Sequence, residues 1–268
     1  GAIPSECEGS SLWRQALCAL AHIALCPARF AQNTTCDIPS GTSTMDKVRI
    51  QHFSDVLCVW AYVSQIRIDE LKQQFAGQVE LEYHYVPVFG HAHQKLQAQW
   101  SQRGGVEAYS RHVQDVVARF EHCQVHPQVW LKATPRSSLP AHVFLCALRL
   151  LNDRTPDAQG NTPFERAAWE IRRSFFAEAT DISQQRELLT MAERLQLPVQ
   201  DIESILDSGA AHALLSEDIA MARDQSVRAS PTLLFNEARQ MLTGNVGYRV
   251  IEANVRELLR APAGSSWC

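Results

Sequence analysis

The stretch "HFSDVLCVWAY", residues 52–62, holds a lone cysteine, Cys58, shortly after Asp55 and just ahead of a helical pattern. A cysteine where a helix opens points its sulfur at unpaired backbone N–H groups and at the positive end of the helix dipole. Such a position favours thiolate over thiol, with pKa values from about 3.5 to 7.5 against ~8.5 for a free cysteine. The thiolate is the nucleophile, so Cys58 reads as a group that attacks a disulfide or an electrophilic carbon. The structural alternative is a buried apolar cysteine. Position 61, where a C-x-x-C pair carries its second sulfur, is Ala61. A dithiol escapes its mixed disulfide because the second thiol attacks at very high effective concentration. Ala61 cannot do this, and an adduct on Cys58 waits for an outside thiol or for a cysteine elsewhere in the fold. Trp60 and Tyr62 are candidate walls of a substrate groove, with helix packing as the alternative. Asp55 is a candidate helix cap and tuning group, although its negative charge opposes a low pKa nearby.

The remaining titratable groups point to less. Cysteines stand at 7, 18, 26, 36, 58, 123, 146 and 268, none in a close Cys/His ligand array, so no zinc site is expected. Cys123 and Cys146 are resolving thiols only in principle, and Cys146 shares an apolar helix stripe with Val143 and Leu150. His84, His91 and His93 lack a carboxylate or cysteine at matching spacing, and no metal is assigned to them. His142 reads as a structural histidine. The chain has 268 residues, 46% hydrophobic and 20% charged, the composition of an ordinary globular protein. A net charge of −4 leaves no footprint for nucleic acid. Arg172-Arg173 reads as a solvated helix face. The apolar run in "SLWRQALCALAHIAL" is far short of the ~20 residues of a membrane span, so no membrane partner is expected.

These groups need elements to position them. "KVRIQHF" has a strand period, and after the loop "SDVL" the apolar residues Val59, Val63, Ile66, Ile68, Leu71 and Phe75 follow a helical one up to Gly77. "VELEYHYV" alternates again. Strand, helix and strand with short joints make a βαβ unit whose strands are parallel neighbours. From 98 to 219 the patterns are helical only. Val106, Tyr109, Val113, Val116 and Phe120 mark one helix and Leu139–Leu151 another. Thr162, Pro163 and Glu165 form a capping box that opens a third. Strand signals return at "TLLFN" and "QMLTG", a hairpin, before a last helix with Tyr248, Ile251, Val255 and Leu258 on one face. The reading divides the chain into an N-terminal extension (1–44, disordered or non-native), one α/β domain (45–97 and 220–262) and a helical insertion (98–219).

In this order the motifs resemble the DsbA-like branch of the thioredoxin superfamily, especially its FrnE and 2-hydroxychromene-2-carboxylate isomerase relatives. "FSDVLCVWAY" resembles F-x-D-x-x-C-P-W-C-Y. "FFAEATDISQQRELLTMAERLQL" resembles the signature of the helical insert. "VRASPTLLFN" resembles G-V-x-G-V-P-T-F-x-F, whose proline is cis. The resemblance implies an α/β, thioredoxin-like fold with a large all-helical insertion. It also implies a cis bond between Ser230 and Pro231 facing Cys58, with both residues binding substrate. Without it, Ser-Pro-Thr is only a loop entering a strand. The sequence departs from the family at Ala61, at Val59 in place of proline and at Ser230. Isomerase and kappa-class glutathione transferase relatives carry serine where this chain has Cys58. The expectation is a thiol–disulfide oxidoreductase acting through Cys58, with an external thiol as resolving partner. A glutathione-dependent isomerase or transferase acting on a small aromatic substrate, and a non-catalytic peptide-binding module, are the alternatives. No tightly bound cofactor is expected, glutathione is a possible co-substrate, protein thiols or disulfides are partners, and the chain is a monomer or homodimer. Starting at Met45, it resembles cytoplasmic relatives; with 1–44 as an export signal it is periplasmic.

Overall fold

The computed structural model describes residues 47–236 and 238–260. The expectations for residues 1–44 and for the cysteines at 7, 18, 26, 36 and 268 lie outside the described residues. Four strands, β1 (Val48–Ser54), β2 (Val79–Tyr85), β3 (Thr232–Phe235) and β4 (Gln240–Thr243), form one sheet in the order β2-β1-β3-β4. β1 runs parallel to β2, from Val48 opposite Val79 to Ser54 opposite Tyr85, as the strand–helix–strand pattern requires. β3 is antiparallel to both β1 and β4. Helix α1 (Val59–Gln74) makes the crossover. Helices α2 (Ala92–Trp100), α3 (Gly105–Val117), α4 (Leu139–Leu151), α5 (Pro163–Phe176), α6 (Gln185–Arg194), α7 (Val199–Ser208) and α8 (Ala210–Asp224) all lie between β2 and β3 in the chain. α9 (Tyr248–Leu259) follows the hairpin. This is the thioredoxin-like α/β fold with a helical insert.

α1 belongs to two cores. Val59, Ala61, Tyr62 and Val63 pack into the helical cluster, whereas Ile68, Leu71 and Phe75 pack with Ile50, Phe235, Ile251 and Val255 against the sheet. The helix buries different faces at its two ends, so one apolar stripe does not describe it. Ile66, read as part of that stripe, is 47% exposed. Leu150 on α4 is likewise 42% exposed, while Val143 and Cys146 on the same helix are buried.

Local signals account for several boundaries. Thr162 Oγ1 accepts from the Glu165 N–H at 3.3 Å and Glu165 Oε2 accepts from the Thr162 N–H at 2.9 Å, closing the capping box of α5. Gly209, at φ +80°, ends α7 and opens α8, a left-handed joint that a side chain would strain. α2 starts at Ala92, ahead of the helical block read from 98, and His91 caps it by accepting from the Gln94 N–H at 3.4 Å. The solvated face assigned to Arg172 is corrected. α5 packs against α1, α4 and α6, and Arg172 is 3% exposed, donating to Ser54 Oγ at 2.9 Å and Gln65 Oε1 at 3.2 Å. Arg173, one residue on, turns outward to Glu170 and Glu178.

Candidate active site around Cys58

Cys58 is the N-cap of α1 in an extended conformation. Its N–H is bonded to the Asp55 carbonyl at 3.1 Å and its carbonyl to the Tyr62 N–H at 3.1 Å. The turn from Asp55 to Cys58 thus delivers the thiol to the start of the helix. The Ser230–Pro231 bond is cis, and the Cys58 thiol donates to the Ser230 carbonyl oxygen at 3.1 Å. The two segments, distant in sequence, meet because β1 and β3 are neighbours in the sheet. The Ser230 hydroxyl accepts from the Asp55 N–H at 2.8 Å, a second tie between them. Pro231 is buried and lines a cavity of about 20 Å³ together with His52 and Ser64.

The electrostatics differ from the expectation. Cys58 is only 6% exposed, and burial pushes its thiol above the ordinary cysteine value, with the Asp55 charge adding to the rise. Hydrogen bonds from Ser230 and from the N–H groups of Ala61 and Trp60 pull the other way without offsetting it. The resting sulfur is a thiol, held as a donor. A helix start alone does not make a thiolate when the site is desolvated and faces a carboxylate.

Asp55 does not cap the helix. Its Oδ1 accepts from the Leu57 N–H at 2.8 Å, and its Oδ2 accepts from the Phe89 N–H at 2.7 Å and the Ser138 hydroxyl at 2.8 Å. It fastens the loop after β2 and the start of α4 to the cysteine turn. His142 is fully buried and held near pKa 4 by desolvation, so its ring is neutral. Its Nε2 accepts from the Val56 N–H at 3.2 Å, 3.7 Å being its distance to Asp55 Oδ1. Phe89, Ser138 and Val56 carry no sequence signal for these roles, since each acts through its backbone or through a hydroxyl common in any helix cap.

Tyr62 is not a groove wall. It is 1% exposed, stacks on Phe176 and Trp169, and donates to the Gln124 carbonyl at 3.0 Å. Trp60 keeps partial exposure, with the Arg119 guanidinium 5.9 Å from its ring centre. Cys123 lies against the Tyr62 carbonyl at 4.0 Å and Cys146 beside Arg149; both are buried and unpaired. A cleft of about 990 Å³ lies between the β2 edge and the ends of α4 and α5, lined by residues such as Tyr83, Phe164 and Lys72, and includes none of Cys58, Ser230 or Pro231. Among the described residues no three His, Cys, Asp or Glu side chains are grouped to hold a metal, and no helix is long and apolar enough to cross a membrane.

Comparison with known proteins agrees with this fold. One curated relative, a ClpXP adapter protein of Bacillus licheniformis, is 32% identical over 94 residues, 33% of this chain and 31% of its own length. The chain thus matches less than a third of that relative. A structure from Nitrosomonas europaea described as a disulfide isomerase superposes with a TM-score of 0.63 at 14% identity, covering 81% of this chain and all (100%) of the other. The cytosolic disulfide reductase DsbM of Pseudomonas aeruginosa gives 0.57 at 14% identity, over 80% and 100% of the two chains. A 2-hydroxychromene-2-carboxylate isomerase gives 0.53 at 14% identity, over 80% and 97%. These structures share the fold. The family model for the DSBA-like thioredoxin domain matches residues 49–256, most of the chain, from β1 into α9, and the protein belongs to that family.

Proposed function

We propose that the protein exchanges thiols and disulfides through Cys58 alone. The observation that carries this reading is the 3.1 Å contact between the Cys58 thiol and the Ser230 carbonyl, beside the segment that enters β3. Backbone at such a position can pair with an extended peptide or with glutathione in the manner of an added strand. In the first step Cys58 releases its proton to solvent and its sulfur attacks a disulfide R–S–S–R′. The bond from Cys58 to the R sulfur forms as the S–S bond breaks, and R′S⁻ departs. An outside thiolate then attacks the R sulfur of the mixed disulfide, forms a new disulfide with it and releases the Cys58 thiolate. The side chain of Ala61 is a buried methyl group and cannot resolve the adduct. Cys123 and Cys146 are poor internal attackers, because burial pushes them to about 11 and about 12. A reducing compartment such as the cytoplasm supplies the outside thiol as glutathione or a protein cysteine.

A second reading draws on the same hydrogen bond. A thiol that keeps its proton and acts as a donor resembles a serine hydroxyl, and can hold a glutathione thiolate for addition to a small aromatic substrate. The two are separated by measuring reduction of a glutathione mixed disulfide with wild type and Cys58→Ser. Exchange through Cys58 predicts loss of activity to background in the serine variant. Retention of full activity on an aromatic carboxylate by that variant would instead establish the donor role. No turnover and no glutathione binding in either protein would leave a peptide-binding module.

A further inference from the structure

β2 and β4 are the outer strands of the sheet, and an edge strand carries a row of backbone groups that no neighbouring strand pairs. On β2 the direction of that row follows from its bonds. The Val86 N–H donates to the Ser54 carbonyl at 3.1 Å and the Gln78 carbonyl accepts from the Val48 N–H at 2.9 Å. The even-numbered residues therefore turn their backbone toward β1, and the odd-numbered ones turn theirs outward. At the two ends the outward N–H groups are taken. That of Val79 donates to the Phe75 carbonyl at 3.3 Å, and that of Tyr85 to Asp218 Oδ2 at 3.0 Å. Between them, the outward N–H and C=O of Leu81 and of Tyr83 have no partner among the described residues.

Both residues line the cleft of about 990 Å³, a volume in the range of ligand sites, ~300–1,000 Å³. Side chains alternate along the strand. Val79, Leu81 and Tyr83 present an apolar face that packs beside Phe75, while Glu80 and Glu82 lie on the other face. Arg49 holds Glu82 at 2.7 Å, whereas Glu80 is exposed and unpaired among the described residues. Lys72 and Arg149 in the cleft are engaged by Glu165 at 2.7 Å and Asp218 at 2.5 Å. Lys47 and Arg154 line it as well, but the side chains that stand beside an added strand are those of β2 itself. The uncompensated charge such a strand meets there is Glu80.

We propose that the open edge of β2 docks an extended segment of a partner protein, which joins the sheet as a further strand through the backbone of Leu81 and Tyr83. The segment sets apolar side chains over the Leu81 face and a basic one beside Glu80. Backbone pairing supplies affinity in this mode and alternate side chains supply specificity. A second copy of this chain is disfavoured, because a two-fold antiparallel pairing centred on Leu81 sets Glu80 against the Glu82 of the other copy, and like charges directly opposite are destabilising. The site stands apart from Cys58, Ser230 and Pro231 and does not depend on thiol exchange.

The probe is a capped pentapeptide alternating valine and lysine, titrated into the isotope-labelled full chain and followed by amide NMR. The expected result is shifts centred on Leu81 and Tyr83, with slowed exchange of their amide protons. Two versions of the peptide, methylated on the backbone nitrogens of the valines or of the lysines, separate strand pairing from side-chain contact. One set turns its N–H groups toward β2, so one version loses at least about tenfold in affinity and the other changes little. Equal affinities of the two versions, both kept or both lost, overturn the proposal. Leu81→Pro removes an outward donor and leaves the ladder to β1, since an edge strand tolerates proline where its N–H faces away. With folding checked by thermal unfolding, it is expected to abolish the shifts. Glu80→Lys, at an exposed position, is expected to weaken the valine–lysine peptide about fivefold and to favour a valine–glutamate one. Shifts centred on Cys58 and Ser230 instead would move the peptide to the exchange site and overturn the β2 edge. A dimer that Leu81→Pro dissociates, with no peptide shifts in wild type, would assign the edge to a second copy and overturn the partner segment.

Discussion

At the scale of single residues, the protonation of Cys58 governs what can be observed. Its folded pKa is raised, so the thiolate fraction near neutral pH lies below that of a free cysteine. Alkylation of Cys58 is expected to be slower at pH 7 than that of glutathione, and to rise about tenfold per pH unit through and beyond the ordinary thiol range. A plateau already below pH 7 would show that the sulfur is held as the anion after all. Asp55 contributes to the rise, and Asp55→Asn is expected to move the Cys58 midpoint down. The same change leaves the Phe89 N–H and the Ser138 hydroxyl without one of their acceptors, at a cost of about 1–3 kcal/mol in stability. Midpoint and denaturant unfolding, measured on one variant, separate the two effects.

At the scale of elements, α1 and α5 hold the site from behind. Tyr62 and Phe176 stack at 4.7 Å across these helices, and Arg172 of α5 reaches Ser54, the last residue of β1. Tyr62→Ala is therefore expected to cost about 3–5 kcal/mol, as for other large-to-small aromatic substitutions in a core. Tyr62→Phe should lose only the bond to Gln124 and exchange at the wild-type rate. A changed KM in Tyr62→Phe, at unchanged stability, would return Tyr62 to the substrate groove. Removing the cap of α5 with Thr162→Ala should cost about 1 kcal/mol in chemical denaturation, without altering the Cys58 midpoint.

The whole molecule carries buried neutral imidazoles that make it sensitive to acid. Burial lowers His52 to about 3 and His142 to about 4. Both folded values lie below the ordinary ~6.5, so the unfolded chain binds more protons in that window. Stability is present above about pH 6.5 and is lost as pH falls toward the folded values. For His142 the full loss is on the order of 3 kcal/mol. Denaturant unfolding between pH 7 and pH 4 reads this directly. Stability that stays level across the range, with the carboxylates accounted for, would contradict buried neutral rings at these positions.

Much of the architecture could be read along the chain because it rests on short-range rules. The alternation of β1 and β2, the capping box of α5 and the stretch of helical patterns between the two strand regions each depend on neighbours a few residues away. Cys58, Ala61 and the Ser230–Pro231 pair were visible for the same reason: each belongs to a local motif. What the residues do to one another was not visible. The contacts of Cys58 with Ser230 and of Asp55 with Phe89 and Ser138 join segments that only the sheet order and the insert bring together. Composition could not show that Arg172 is buried while Arg173 is not, because that depends on which helices cover α5. The family, the fold and the single thiol of the motif were legible along the chain. The direction in which that thiol's pKa moves came from the three-dimensional packing, since the ionisation of a sulfur answers to the water excluded and the dipoles gathered around it.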